Sequence, residues 1–185
     1  SKFDANKIPP YGLAVVDGKG QTGTTLTVAR THTTPVAGDT FTVAGITGTH
    51  TITGVSFDAG NNRTTLTLSA SLGATANVNG AISSATALVL DGNSGTIEAG
   101  MEVTGTGISG TVTVASVTDQ NNIVLSSSQS LSNDVALEFS PLNGAALTFK
   151  TYDTAYRTQG VEVFGDDVIV ALNSDLYKTS GSGFT

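Results

Sequence analysis

Two histidines are the residues whose chemistry could serve catalysis. His32 and His50 are the only histidines in the chain, and the sequence contains no cysteine. Acyl-transfer catalysis with a histidine base needs a nucleophile beside the imidazole, and the sequence has no cysteine, no G-x-S-x-G nucleophile motif and no P-loop. We therefore predict no catalytic site, no cofactor and no enzymatic activity. We interpret His50 as a half-buried strand residue and His32 as a loop residue.

A second candidate is a polar segment that could bind a metal ion. Residues 91–97 read DGNSGTI, and Glu102 follows eleven positions after Asp91. Carboxylate and amide oxygens at such a spacing are similar to a calcium-binding loop. The glycine stands one position too early, however, and no helical pattern flanks the loop. We therefore predict no metal site at these residues.

The elements that position these residues come from an internal repeat. Residues 37–55 read AGDTFTVAGITGTHTITGV, and residues 99–117, 62 positions later, read AGMEVTGTGISGTVTVASV. The register begins with Thr24 against Thr86 and continues to Val55 without a gap. Similarity at a fixed period indicates two copies of one structural unit.

Both copies alternate apolar residues with threonine, a pattern typical of strands with one buried and one solvated face. The polar loops 58–63 and 119–122 predict hairpins. The G-I-[ST]-G segments predict sharp corners, with Ile46 and Ile108 covering one end of each copy. We predict an all-β fold of two tandem repeated small sandwich-like or barrel-like modules, with an N-terminal arm and a C-terminal antiparallel meander. The predicted core residues are Leu26, Val28, Phe41, Val43, Ile52, Leu66 and Leu68 in the first copy, and Leu88, Leu90, Val103, Val112, Val114, Ile123, Leu125, Val135, Leu137 and Phe139 in the second.

Composition limits the classes of function. Only 12% of the 185 residues are charged, and 15 acidic against 8 basic residues give a net charge of −7 at pH 7. The basic residues are scattered, whereas specific nucleic-acid binding needs a basic patch. No apolar run approaches the roughly 20 residues of a membrane-spanning helix. We predict no specific nucleic-acid binding and no membrane insertion. The acidic residues are interpreted as a solvated surface, or alternatively as a wall past which DNA slides.

The predicted organisation has four segments. They are an N-terminal extended arm (1–20), β-module repeat 1 (21–83), β-module repeat 2 (84–140) and a C-terminal β segment (141–185). The arm contains two consecutive prolines, which disfavour helix and favour an extended edge strand. The arm either reaches a neighbouring subunit or packs on its own module. Its start lacks the apolar core of a signal peptide, which predicts synthesis and retention in a cytoplasm.

The C-terminal segment predicts an antiparallel meander. Strands are expected at about 146–151, 160–164, 168–172 and 176–179, with aspartate-containing turns between them. Unpaired strand edges in such a meander favour pairing with a partner chain.

The second copy contains residues 100–131, GMEVTGTGISGTVTVASVTDQNNIVLSSSQSL. This segment resembles a small β-module that recurs in structural proteins of tailed phages, notably marine and cyanobacterial ones. The first copy, with GDTFTVAGITGTHTITGV and TTLTLSASL, is similar to a related version. The resemblance implies a virion protein that assembles in the host cytoplasm, with other virion proteins and further copies of itself as partners.

Residues 160–184, GVEVFGDDVIVALNSDLYKTSGSGF, resemble the opening blade of propeller-like tail hub or nozzle proteins. They are also similar to the Asp-box corner of sialidase-type propellers, although Ser182 stands where the aspartate is expected. These likenesses predict a tail, neck or baseplate component that acts by non-covalent assembly. The alternatives are a capsid decoration protein and a glycan-binding adhesion module, for which Tyr152, Tyr156 and Phe184 are the candidate aromatic platform.

Overall fold

A computed structural model describes residues 14–29 and 35–150, together with three strands within 158–179. The described residues form β-strands, turns and loops and no helix, which confirms the all-β prediction. Accordingly, no helix in this part of the chain is long and apolar enough to cross a membrane. In chain order the strands are β1 (Ala14–Val16), β2 (Thr25–Ala29), β3 (Thr40–Val43), β4 (Ile46–Asp58), β5 (Arg63–Leu68), β6 (Ala74–Val78), β7 (Ile82–Ser94), β8 (Glu102–Gly105), β9 (Val112–Asp119), β10 (Asn122–Leu131), β11 (Ala136–Ser140), β12 (Ala146–Lys150), β13 (Thr158–Phe164), β14 (Asp167–Leu172) and β15 (Asp175–Thr179).

Twelve of these strands form two closed antiparallel barrels. Barrel 1 has the order β1-β12-β3-β4-β5-β2, and barrel 2 has the order β6-β11-β8-β9-β10-β7. Closure removes the exposed strand edges that an open sheet would have. The two barrels therefore confirm the predicted pair of small β-modules. All the strands of barrel 2 lie in sequence between β5 and β12, so barrel 2 is an insertion within barrel 1.

The two barrels share one pattern of strand pairing. Val16 pairs with Val28 in barrel 1, and Val78 pairs with Leu90 in barrel 2. Likewise, Leu26 pairs with Leu66 in barrel 1, and the equivalent pair in barrel 2 is Leu88 with Ile123. Ala14 pairs with Leu147 in barrel 1, and the equivalent pair in barrel 2 is Ala76 with Leu137. Because register decides which face of a strand is buried, an identical register places equivalent side chains in both cores.

The interior of each barrel is filled by the alternating apolar residues that the sequence predicted. All the predicted core residues are buried except Val135, which is half-buried and packs against the core. The largest fully buried side chains include Phe41 in barrel 1 and Phe139 in barrel 2. Phe41 is in turn 6.0 Å from Phe149 between ring centroids. Period-two alternation therefore identified buried residues of the two repeats, and the core also contains residues that it did not identify, such as Val16, Val78 and Leu147.

The predicted hairpins and corners are also present. Asp58 and Asp119 end β4 and β9, and each carboxylate accepts hydrogen bonds from the backbone and side chains of the following turn. These hydrogen bonds lower the pKa of both carboxyl groups. In the corners all four glycines have φ between +81° and +97°, a region that favours glycine. They are Gly45, Gly48, Gly107 and Gly110.

Three strands belong to a barrel other than the one that the predicted segments imply. β1, which the prediction placed in the arm, and β12, which it placed in the C-terminal segment, both belong to barrel 1. β6, which it placed in repeat 1, belongs to barrel 2. The reason is that closing each barrel needs a strand from before the recognisable repeat and another from after it. Residues 1–13 of the predicted arm lie outside the described part of the chain.

The strands β13, β14 and β15 form a separate antiparallel sheet in that order. Consecutive strands pair, with Val161 opposite Val170 and Val170 opposite Tyr177. This sheet confirms the last three strands of the predicted antiparallel meander, whereas the first predicted strand is β12 of barrel 1. Its connecting turns lie outside the described residues.

Candidate functional site

His50 lies on β4 with a half-buried side chain, as the sequence predicted. Its ring packs on Phe41, with 5.5 Å between the centroids, and its Nε2 is buried without a hydrogen-bond partner. Burial lowers the pKa of His50 below 6.5, and the carboxylate of Glu98 partly opposes this shift. This imidazole contributes mainly packing. His32 lies outside the described residues.

His50 gives a prediction for the pH dependence of stability. Because its folded-state pKa is lowered, the unfolded chain binds the proton more readily, and stability rises with pH in this window. The contribution of neutral His50 to stability is fully present above pH 6.5 and is lost as the pH falls through the lowered pKa of the folded state. His50→Val, which installs the residue of the equivalent position Val112, should flatten the slope at and below about pH 6.5, by less than about 1.4 kcal/mol per pH unit.

Chemical unfolding at a series of pH values measures this slope. The turn carboxylates do not interfere, because the pKa values of Asp58 and Asp119 are lowered from 3.8. Their contribution is present above that value and is lost only at more acidic pH. An unchanged slope in His50→Val would contradict the assignment.

The polar segment 91–97 is a structural connection. Asp91 is exposed on β7. The side-chain amide of Asn93 donates to the backbone carbonyl of Gln120 and to Asn121 Oδ1. Gln120 in turn accepts from the amide of Ile97 at 2.7 Å and donates to its carbonyl at 3.0 Å. These amide groups therefore fasten the loop to the β9–β10 hairpin. Within 14–29 and 35–150, no group of three His, Asp or Glu residues could hold a metal ion.

Glu102 has a different environment, which the sequence did not indicate. Its side chain is 1% exposed, and Oε1 lies 2.6 Å from Nζ of Lys19, which is 48% exposed. Oε2 accepts a hydrogen bond from the backbone amide of Asn143 at 2.9 Å. Lys19 belongs to the β1–β2 loop of barrel 1, so this carboxylate joins the two barrels. The equivalent residue of barrel 1 is Thr40, which offers no charge.

A second contact between the barrels lies at the corner of barrel 1. The amide of Thr47 donates to Glu98 Oε2 at 2.6 Å. A Cβ atom added to Gly45 would lie 3.2 Å from the carbonyl oxygen of Gly100, so the two backbones pass close together. We call these contacts, together with the Lys19–Glu102–Asn143 cluster, the inter-barrel junction.

The described surface also carries apolar features. Phe57 on β4 is 57% exposed and Val89 on β7 is 46% exposed. Val89 borders a shallow, open depression of about 330 Å³ on barrel 2, also lined by Ile82 and Val124. The aromatic platform proposed from the sequence, which consists of Tyr152, Tyr156 and Phe184, lies outside the described residues.

Comparison with protein-family models, with curated proteins and with solved structures found no match. The polar residues described above make structural contacts within the protein. The side chains of Asn93, Gln120, Glu98 and Glu102 are engaged with backbone groups or with other side chains, and they hold loops and barrels together.

Proposed function

We propose that the chain is a structural component of a tailed-phage virion, in the tail, neck or baseplate, that acts by non-covalent assembly. The observation that carries this proposal is the duplication of one Gly/Thr-rich barrel with an identical pairing register. The sequence of that repeat resembles modules of tailed-phage structural proteins. The proposed partners are other virion proteins and further copies of the chain.

The outer faces of the barrels suit an assembly role. Threonine occupies many exposed strand positions, among them Thr25, Thr53, Thr67, Thr75 and Thr118. Burying a neutral hydroxyl at a subunit contact costs less than burying an unpaired charge. With few charged residues, such a surface can be covered by neighbours at a small desolvation cost.

The sheet of β13–β15 offers a route to association. Among the described strands, β13 and β15 each pair on one side only. The backbone groups on the free side of an outer strand can pair with a strand of another chain. Virion parts are commonly symmetric, and we therefore propose a homo-oligomer.

Association should be visible by size-exclusion chromatography with light scattering. We expect the full chain to form a defined oligomer, and a chain truncated after Lys150, which keeps every strand of both barrels, to be monomeric. Circular dichroism of the truncated chain controls for folding. A full chain that stays monomeric with and without phage tail proteins would overturn the proposal. Density on the icosahedral shell of whole particles would instead indicate the alternative, a capsid decoration protein.

A glycan-binding module is the second candidate, and the exposed ring of Phe57 favours it. Glycan sites commonly use an exposed aromatic face, and Phe57 is the largest exposed apolar side chain of the described surface. A glycan array should then show specific binding that is lost in Phe57→Ala. Specific binding lost only in Tyr156→Ala would assign it to the C-terminal platform, and an array without specific binding would reject this candidate.

A further inference from the structure

The G-I-[ST]-G corner is covered in two different ways. In barrel 1 the corner amide of Thr47 donates to Glu98, which belongs to the β7–β8 loop of barrel 2. In barrel 2 the equivalent amide of Ser109 donates to Gln129 Oε1 at 3.0 Å, on that barrel's own β10. Barrel 2 therefore covers both its own corner and that of barrel 1.

The same asymmetry holds for the corner glycines. Gly45 of barrel 1 faces the backbone of Gly100 in barrel 2. Gly107 of barrel 2 faces Ser130 and Leu131 of its own β10. In barrel 1, β5 ends at Leu68, whereas β10 continues to Leu131. The longer β10 makes barrel 2 complete by itself.

The chain connections are asymmetric as well. In barrel 2, β10 and β11 are joined by residues 132–135. In barrel 1 the equivalent strands, β5 and β12, are joined by residues 69–145, which contain the whole of barrel 2. Folded barrel 2 holds the ends of this connection together, because Ala74 pairs with Phe139.

From these observations we propose that barrel 1 is a conditional fold, which closes only on a folded barrel 2, while barrel 2 is stable with barrel 1 open. With barrel 2 unfolded, β5 and β12 are joined by a flexible loop of 77 residues in place of about ten. Loop-closure entropy alone then makes closure roughly 20-fold less favourable. The Thr47 amide also loses its acceptor. When barrel 1 opens instead, Glu102 gains access to water and barrel 2 keeps its own corner contacts.

The insertion of barrel 2 within barrel 1 thus fixes the order in which the two barrels open. The strands that join barrel 1 to the rest of the chain are β1 and β12, and β1 has only three residues. Force applied through the flanking segments acts on this pair first. Barrel 2 is attached only to strands and loops of barrel 1 and unfolds after it.

Hydrogen exchange of the full chain, read by mass spectrometry, tests this order with a matched pair of variants. Leu26 and Leu88 are equivalent core residues with 0% and 1% exposure, and an aspartate at either position places a charge in one core. Leu26→Asp should reduce protection in barrel 1 to that of an unfolded chain and leave barrel 2 protected. Leu88→Asp should remove protection from both barrels. Loss confined to the mutated barrel in each case, or loss of both barrels in each case, would overturn the proposal.

A milder pair tests the same order in molecules that remain folded. Glu98→Ala should speed exchange in barrel 1 by roughly fivefold or more, since a lost charge-assisted hydrogen bond weakens its closure. Gln129→Ala should speed exchange in barrel 2 and leave the rate in barrel 1 unchanged, because barrel 1 opens while barrel 2 is still folded. Faster barrel 1 exchange in Gln129→Ala but not in Glu98→Ala would contradict the proposed hierarchy.

Discussion

Gly73→Ala is expected to lower the free energy of unfolding by about 3 kcal/mol. Gly73 lies in the link between β5 and β6, where barrel 1 meets barrel 2. A Cβ atom at this position would lie 2.5 Å from the carbonyl oxygen of Phe139 and 2.6 Å from Cα of Thr22. Both are backbone atoms, so relief requires the β1–β2 loop or β11 to shift. Even one methyl group therefore strains the packing of the two barrels.

Gly23→Ala is the matched control for this substitution. Gly23 is in the same β1–β2 loop, and a Cβ atom added to it has nothing within 4 Å. The added methyl group should leave stability unchanged within about 0.5 kcal/mol, or raise it slightly by restricting the unfolded chain. Urea unfolding of both variants measures the difference. Equal stability of the two variants would contradict the close backbone approach at Gly73.

The sequence was sufficient to predict what local alternation determines. A buried residue such as Leu26 or Leu66 is flanked by threonine on both sides, so its strand has only one apolar face to bury. Corner and hairpin positions followed from glycine, asparagine and aspartate, whose backbone preferences act over a few residues. These features need no knowledge of the partner strands.

Closure of the barrels depends on pairing that is remote in sequence. β1 pairs with β12 across about 130 residues, and no local pattern in Ala14–Val16 identifies its partner. The sequence did not predict the insertion of barrel 2 into barrel 1 for the same reason. The repeat was recognised from Thr24 onward, and the strands that close each barrel lie partly outside it. The predicted boundaries therefore followed the recognisable repeat.

The inter-barrel junction could not be read from the sequence either. Glu102 precedes the inward-facing Val103, and alternation therefore places it on the solvated face of β8. It is buried because the β1–β2 loop covers that face. Glu98 and Gln129 accept the hydrogen bonds of the two corner amides. The equivalent positions of the first copy hold Val36 and Leu72. The sequence shows that the two copies differ at these positions, but only the structure shows which amides the two side chains bind.

Removal of the ammonium group at this junction should have a large effect. Lys19→Met is expected to lower the free energy of unfolding by about 2 kcal/mol, because it leaves the carboxylate of Glu102 buried without a counter-charge. This figure is below that of a fully buried pair, since Lys19 is itself 48% exposed and solvent screens the interaction. Glu102→Gln should cost less, about 1 kcal/mol, because the freed ammonium group can be solvated.

The double variant Lys19→Met/Glu102→Gln decides whether the burial of a charge is the cause. It should regain most of the loss and lie within about 1 kcal/mol of the unaltered protein, since no buried charge remains. Arg63→Met is the control, because the ion pair of Arg63 with Asp17 is more open to solvent, with side chains 50% and 26% exposed, and should contribute less than about 1 kcal/mol. Additive losses in the double variant would mean that each side chain acts through its own packing, and that the Lys19–Glu102 ion pair does not stabilise the inter-barrel junction.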